Sequence, residues 1–336
     1  MTRLVFVTQA ADPAHPVLGA TLPKIRALAE RVDRLVVLAG RVVPDALPPN
    51  CAAHSFAAPT QALRGARYAV LLAAALARRP RAVVVHMSPI YALLAAPLAR
   101  PLGVPILLWF TQQAAGPRLQ AAERVVRAIL TVDERTVPLR SPKVRAIGHG
   151  IDVGALPCVG ERAPPLRRLL GLGRYAPVKG WETVLRALPE LPDATLRVHG
   201  PALTDADRRH RPGLEALARD LGVAERVSFR DTVPYADLPR VFESADALVN
   251  ATRGDAADKV VFEAAAACLP VFAASPVFDR LLPEALRFPE GDPQALAARI
   301  LGYGGGAGPT LRARVEAEHS VDRWADAVLE AAGSRG

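Results

Sequence analysis

Two patterns of apolar positions alternate along the chain. The first is a short run of branched residues without polar alternation. In the first half these runs are "RLVFVT" (3–8), "RLVVLA" (34–39), "RAVVVH" (81–86), "VPILLWF" (104–110), "RAILTV" (127–132) and "KVRAIG" (143–148). Such runs predict strands buried on both faces, as in a parallel sheet. The second pattern is longer and rich in Ala and Leu, as in "LGATLPKIRALAERV" (18–32) and "LRGARYAVLLAAALARR" (63–79). These stretches predict helices, and their alternation with the strands predicts a doubly wound α/β domain.

The second half repeats the arrangement. Strands are predicted at 166–173, 194–200, 225–230, 246–251 and 269–274, and helices at 181–191, 213–222, 236–245 and 258–267. The Pro- and Gly-rich "GIDVGALPCVGERAPP" (150–165) reads as a linker between the halves. "GYGGGAG" (302–308) reads as a flexible loop before one last helix over 310–332. The expected domains are therefore two Rossmann-like units, 1–150 and 151–314. A C-terminal helix over about 315–332 is expected to pack back on the first.

Composition narrows the class. The 336 residues are 51% hydrophobic and 22% charged, which fits a globular chain with ample core. Cys51, Cys158 and Cys268 form no C-x-x-C pair, so neither a zinc site nor a disulfide framework is expected, and a reducing compartment is the simple reading. "MTRLVFVTQA" lacks a secretory apolar core, and "YAVLLAAALA" is about half of a membrane span. A cytoplasmic protein is expected, with peripheral contact at the inner membrane face left open.

Charge divides the chain. Residues 1–150 hold 19 Lys and Arg against 7 Asp and Glu, and residues 151–336 hold 23 against 26. The basic half reflects either an arginine-rich composition or an anionic ligand or membrane face. Nucleic acid is not expected, because aromatics are 5% and none interleave with the basic residues in a recognition motif.

"GLGRYAPVKG" (171–180) contains G-x-G-x-x-A. A dinucleotide fingerprint also needs a helix starting at that turn and an acid ending the next strand. Here Pro177 and Gly180 delay the helix to about Trp181, and the next strand ends in His199-Gly200. The glycines therefore read as scaffold. Arg174 and Lys179 leave a buried strand at the carboxyl edge of a sheet, where two fixed cations can hold a diphosphate and neutralise its charge as it departs.

"GRYAPVKG", "HGIDVGAL", "VSFRDTVPYADLPRVFESADALV" and "DKVVFEAAAACLPVFAA" occur in this order over roughly 143–275. Together they resemble the family 4 glycosyltransferases of bacteria. The resemblance implies the GT-B fold, with two Rossmann-like domains facing across a cleft. It implies retaining transfer from a nucleoside-diphosphate sugar, a UDP-sugar before a GDP-sugar, with no cofactor and no metal.

Residue roles follow from the same resemblance. Arg174 and Lys179 match the family's diphosphate-holding pair. Glu263 matches the acid that binds the ribose hydroxyls. Asp255 stands where the family places a glutamate against the donor sugar, and this shorter acid puts sugar choice in doubt. Asp258 and Lys259 open the helix where a glycine motif is usual, and Lys259 either reaches the diphosphate or pairs with Asp255 or Asp258. Gly200, Thr232 and Val233 lie on loops that bind the base, and Gly19 in "PVLG" lies on the loop after the first strand. His86 and Ser88 follow the third strand on the acceptor side. Gln112 stands where a histidine is common, so it can donate a hydrogen bond there but cannot act as a base. His149 and Asp152 belong to the hinge signature.

No H-E-x-x-H, G-x-S-x-G or Walker lysine motif is present, and no D-x-D between a strand and a loop suggests a metal-dependent transferase. The acceptor is open between a soluble small molecule and a lipid-linked or anionic one, with Arg64, Arg67, Arg78, Arg79 and Arg81 as possible membrane anchors. Two other readings stand beside transfer: a non-catalytic partner subunit, and epimerisation of a nucleotide sugar.

Overall fold

In a computed structural model, which describes residues 2–15, 17–113 and 116–333, the strand runs pair in parallel within two separate sheets. Pro16 of "PVLG" and Ala114–Ala115 of "LWFTQQAAG" lie outside the described residues. The chain divides into two units, one of residues 1–150 with 319–336, the other of 151–318.

The first unit opens with β1 (Arg3–Ala11), α1 (Leu22–Ala29), β2 (Arg34–Val42), β3 (Cys51–Ser55), α2 (Gln61–Leu76) and β4 (Ala82–His86). It continues with α3 (Pro89–Ala99), β5 (Ile106–Trp109), α4 (Pro117–Val125), β6 (Ala128–Thr131) and β7 (Val144–Ala146). The strand order is β3-β2-β1-β4-β5-β6-β7. Leu4–Val7 and Ala82–Val85 are fully buried, as their uninterrupted apolar runs require. α2 begins where the Thr60 hydroxyl accepts from the Leu63 amide at 3.2 Å. It buries Tyr68, Leu72 and Leu76, a one-sided stripe at four-residue spacing, each side chain contributing roughly 2 kcal/mol.

The second unit contains β8 (Arg168–Leu172), α5 (Trp181–Ala187), β9 (Thr195–His199), α6 (Asp205–Asp220), β10 (Val227–Arg230) and α7 (Leu238–Glu243). β11 (Ala247–Asn250), α8 (Lys259–Ala266), β12 (Val271–Ala273), α9 (Pro293–Leu301) and α10 (Ala307–His319) complete it. Its strand order is β10-β9-β8-β11-β12.

The last helix, α11 (Val321–Gly333), returns to the first unit. Trp324 packs edge-on against Trp109 at 5.7 Å, and the Lys24 ammonium lies 5.4 and 5.6 Å from the two ring centres. Arg31 at the end of α1 clamps Asp322 at 2.9 Å and Asp326 at 2.6 Å. The single helix expected over 310–332 is therefore two, parted at Ser320. The glycine loop is also shorter than expected, because α10 starts at Ala307.

The cysteine expectation is corrected as well. Cys158 and Cys268 form a disulfide across 110 residues, leaving Cys51 free. The linker passes beside the end of α8, where the Val159 amide donates to the Ala267 carbonyl at 2.9 Å. That contact brings together two thiols that no sequence spacing relates.

Candidate functional site

The carboxyl edge of the second sheet collects the ionisable residues singled out in the sequence. β8 ends at Leu172, and the chain then turns through Arg174 and a short turn, Pro177–Lys179, into α5. Trp181 Nε1 donates to the Arg174 carbonyl at 2.9 Å, tying the start of α5 to the loop. Gly180 has φ +63°, and a Cβ there would sit 2.3 Å from the Ala251 carbonyl oxygen. Only glycine suits this turn.

The turn sends Lys179 across to the start of α8. Its Nζ donates to both carboxylate oxygens of Asp258 at 2.6 Å. Asn250, ending β11, donates to Asp258 at 2.8 Å, and the Thr252 hydroxyl does so at 2.5 Å. Burial opposes the charge on Asp258, but Lys179 and these donors outweigh it and hold the carboxyl below its ordinary range. Asp258 is also the N-cap residue of α8, yet its side chain caps no helix amide. The carboxylate is committed to Lys179 instead.

One turn further on, Lys259 hydrogen-bonds Glu263, which is 2% exposed. Helical i,i+4 spacing puts the two side chains on one face. This corrects the expected pairing of Lys259 with Asp255 or Asp258. The ammonium also lies 4.5 Å from the Tyr235 ring centre. Burial works against the charge on Lys259, and Glu263 and Tyr235 reverse the balance, so its pKa is raised. Burial pushes the Tyr235 phenol up to about 12.

Arg174 points the other way along the edge, its Nη1 3.4 Å from Asp207 Oδ2 and its side chain 39% exposed. Asp207 belongs to the capping box that starts α6, with Thr204 as the cap. Burial opposes ionisation of Asp207, but Thr204, backbone amides and Arg174 together lower its pKa. Gly200 lies so close to this loop that a Cβ would come within 1.7 Å of the Gly173 carbonyl oxygen. Thr232 and Val233 follow β10 and are half-buried, and Asp255 is half-buried on the loop before α8.

The site is thus three cation–carboxylate pairs, Arg174–Asp207, Lys179–Asp258 and Lys259–Glu263, on adjoining loops and helix starts. Each ammonium has three donors and the guanidinium five, so pairing leaves N–H groups for a further oxygen ligand. Asp207, Asn250, Thr252 and Tyr235 were not singled out from the sequence. The Thr-x-x-Asp capping pattern was the available signal for Asp207. Nothing local marked the other three.

The first-unit candidates lie at or after the carboxyl ends of β1, β4 and β5. Gly19 is buried after β1, its amide donating to the His15 carbonyl at 3.0 Å. His86 is buried at the end of β4 with Nδ1 3.3 Å from the Thr8 hydroxyl. Ser88 precedes α3 and lines a cleft, and Gln112 is exposed. Among the described residues no cluster of three or more His, Cys, Asp or Glu is placed to hold a metal ion, and no helix is long and apolar enough to cross a membrane.

Two parallel-sheet α/β units, the second carrying its ionic cluster at the sheet's carboxyl edge, place the chain in the GT-B class. The fold matches HepE of Anabaena, solved with UDP and glucose, at TM-score 0.78 and 16% identity over 98% of this chain and 99% of that one. It matches a sucrose-phosphate synthase from Thermosynechococcus elongatus at TM-score 0.76 and 16% identity, covering 98% of each chain. Residues 167–303 match the family model described as Glycosyl transferases group 1. A D-inositol 3-phosphate glycosyltransferase of Mycobacterium marinum is 36% identical over 108 residues, which is 31% of this chain and 22% of that protein. A GDP-mannose-dependent alpha-(1-6)-phosphatidylinositol monomannoside mannosyltransferase of Mycolicibacterium smegmatis is 38% identical over 115 residues, 30% of this chain and 28% of that one. The matched stretches span less than a third of those two relatives. The second unit thus carries the match to the group 1 glycosyltransferases, and the whole chain has the fold of the GT-B structures.

Proposed function

We propose that the protein is a retaining glycosyltransferase that moves a sugar from a nucleoside diphosphate to an acceptor hydroxyl without a metal. The observation that carries this reading is the row of paired cations at the carboxyl edge of the second sheet. Arg174 and Lys179 hold the donor diphosphate and stabilise it as it leaves. Glu263 takes the ribose diol, for which a carboxylate has enough lone pairs even while Lys259 donates to it. Asp255 faces the donor sugar. Gly200, Thr232 and Val233 border the base, and Gly19 approaches the phosphates or sugar. Lys259 holds Glu263 in place, and Asp258 holds Lys179. His86, Ser88 and Gln112 belong to the acceptor side. The bond from the anomeric carbon to the diphosphate oxygen breaks, the bond to the acceptor oxygen forms on the same face, and the acceptor proton passes to the departing diphosphate.

A UDP-sugar is the first donor to test, with GDP-, ADP- and TDP-sugars beside it. The UDP complex of HepE favours the first, and the GDP-mannose-dependent relative keeps the second in the panel. Arg174→Ala and Lys179→Ala are each expected to lower turnover by about 10²–10³-fold. Wild-type rates in both variants would remove the assignment. A non-catalytic reading has one observation in its favour, the bidentate hold of Asp258 on Lys179. Donor turnover by the purified chain alone decides against it.

Peripheral membrane contact is a further part of the proposal. Its support is α2, where Leu63 is 53% and Val70 70% exposed beside exposed Arg67.

A further inference from the structure

A cleft of about 1020 Å³ lies wholly within the first unit. That volume is at the upper end of small-molecule sites. Three arginines line it, Arg41, Arg64 and Arg118, with Ser88 and the rings of Phe56 and Tyr91. None of the described lining residues is acidic.

The three arginines are not equivalent. Arg41 already has a counter-ion, since its Nε lies 2.5 Å from Asp12, whose side chain is 3% exposed. Arg64 lies beside the Tyr91 phenol. Burial raises that phenol's pKa, and the nearby Arg64 partly offsets the rise. Arg118 stands in the first turn of α4, where the helix dipole disfavours a cation. Neither Arg64 nor Arg118 has a carboxylate partner among the described residues. Folding gives no reason to gather two uncompensated cations around one hollow, and a bound anion does.

The rest of the lining describes the rest of the ligand. Phe56 and Tyr91 pack tilted with ring centres 4.8 Å apart, and Tyr68 packs against both, its hydroxyl donating to the Tyr91 carbonyl at 3.0 Å. A fixed aromatic wall suits the apolar face of a ring, and Ser88 offers a hydroxyl.

We propose that this cleft is the acceptor site and that the acceptor carries a phosphate held by Arg64 and Arg118. The word acceptor rests on the glycosyltransferase reading; the phosphate site does not. The same chemistry is presented by a soluble sugar phosphate or by a phospholipid headgroup.

Binding by the full chain, without donor, tests it. Calorimetry compares glucose 6-phosphate with glucose, and flotation compares phosphatidylglycerol-containing vesicles with phosphatidylcholine vesicles. The expected result is at least tenfold tighter binding of glucose 6-phosphate than of glucose, or of the anionic than of the zwitterionic vesicles, weakened by salt. The Arg64→Gln/Arg118→Gln double variant loses that advantage, while Arg100→Gln, an exposed control outside the cleft, keeps it. Preference for glucose 6-phosphate assigns a soluble acceptor, and preference for the anionic vesicles assigns a lipid-linked one. No phosphate preference in the wild type, or equal loss in Arg100→Gln, overturns the proposal. Thermal unfolding followed by circular dichroism, measured in parallel, checks that the double variant is folded. Phosphate binding by a chain that, in separate assays, neither binds nor turns over any sugar nucleotide would sink the transferase reading alone.

Discussion

Replacing Lys179 by Met leaves Asp258 in place without its cation. At 2.6 Å the Coulomb attraction of the pair is about 6 kcal/mol for an effective dielectric of about 20. Most of that gain is offset, because the ammonium is 15% and the carboxylate 17% exposed, and each has lost most of its water. Asn250 and Thr252 return two hydrogen bonds to the carboxylate. The intact pair therefore contributes little net stability, but a stranded partner is costly. Lys179→Met is expected to destabilise the second unit by about 3 kcal/mol, the lower end of the range for breaking a buried pair. In an Asp258→Asn background the same change should cost about 1 kcal/mol, a coupling of about 2 kcal/mol. Urea unfolding at neutral pH, followed by the fluorescence of Trp181 beside the loop, measures each corner of the cycle. Single-variant costs that simply add would refute the reasoning. Acid supplies a second test. A carboxyl depressed by folding contributes its stability above its unfolded pKa of about 3.9, and loses it as pH falls through the lower folded value. The gap between wild type and Asp258→Asn should close only well below pH 4.

Three further outcomes are expected. Reducing Cys158–Cys268, or changing both to Ser, should lower the stability of the second unit by about 4–5 kcal/mol, as for a loop of this length, read as a fall in its melting temperature. His319 has its pKa lowered to about 4 by burial and Arg323, against Asp133. With an unfolded value near 6.5, its contribution is full above that pH and disappears as pH falls toward 4. A loss of about 3 kcal/mol over that interval, absent in His319→Asn, is the check by denaturant titration. Gly200→Ala forces a Cβ against the Gly173 carbonyl, and a loss of roughly 2–4 kcal/mol should appear in the same titration.

The strands that were plain in the sequence are those buried on both faces, because burial leaves an unbroken apolar run. β3, "CAAHS", escaped notice: it is a partly exposed edge strand whose residues satisfy no strand pattern. α3 was missed for the opposite reason, being apolar almost all round and holding Pro97. Motif order singles out Arg174, Lys179, Asp258 and Glu263, and the structure places all four on loops and helix starts of the second unit. Their partners were not legible, because a pairing such as Lys179–Asp258 is made by two loops meeting at a sheet edge. The Lys259–Glu263 pair did have a local signal, i,i+4 spacing on a helix predicted to start near Asp258, but the expected partners of Lys259 were Asp255 or Asp258. The disulfide had no such signal.

That disulfide has a covalent consequence. Its sulfurs join residue 158, in the linker, to residue 268, just beyond α8, and close a ring. Arg174, Lys179, Asp207, Asp258, Lys259 and Glu263 all lie inside it. One backbone cut between the two cysteines opens the ring but releases neither piece, so the severed halves of the ionic cluster stay tethered. Only a reductant then turns the nicked molecule into two chains.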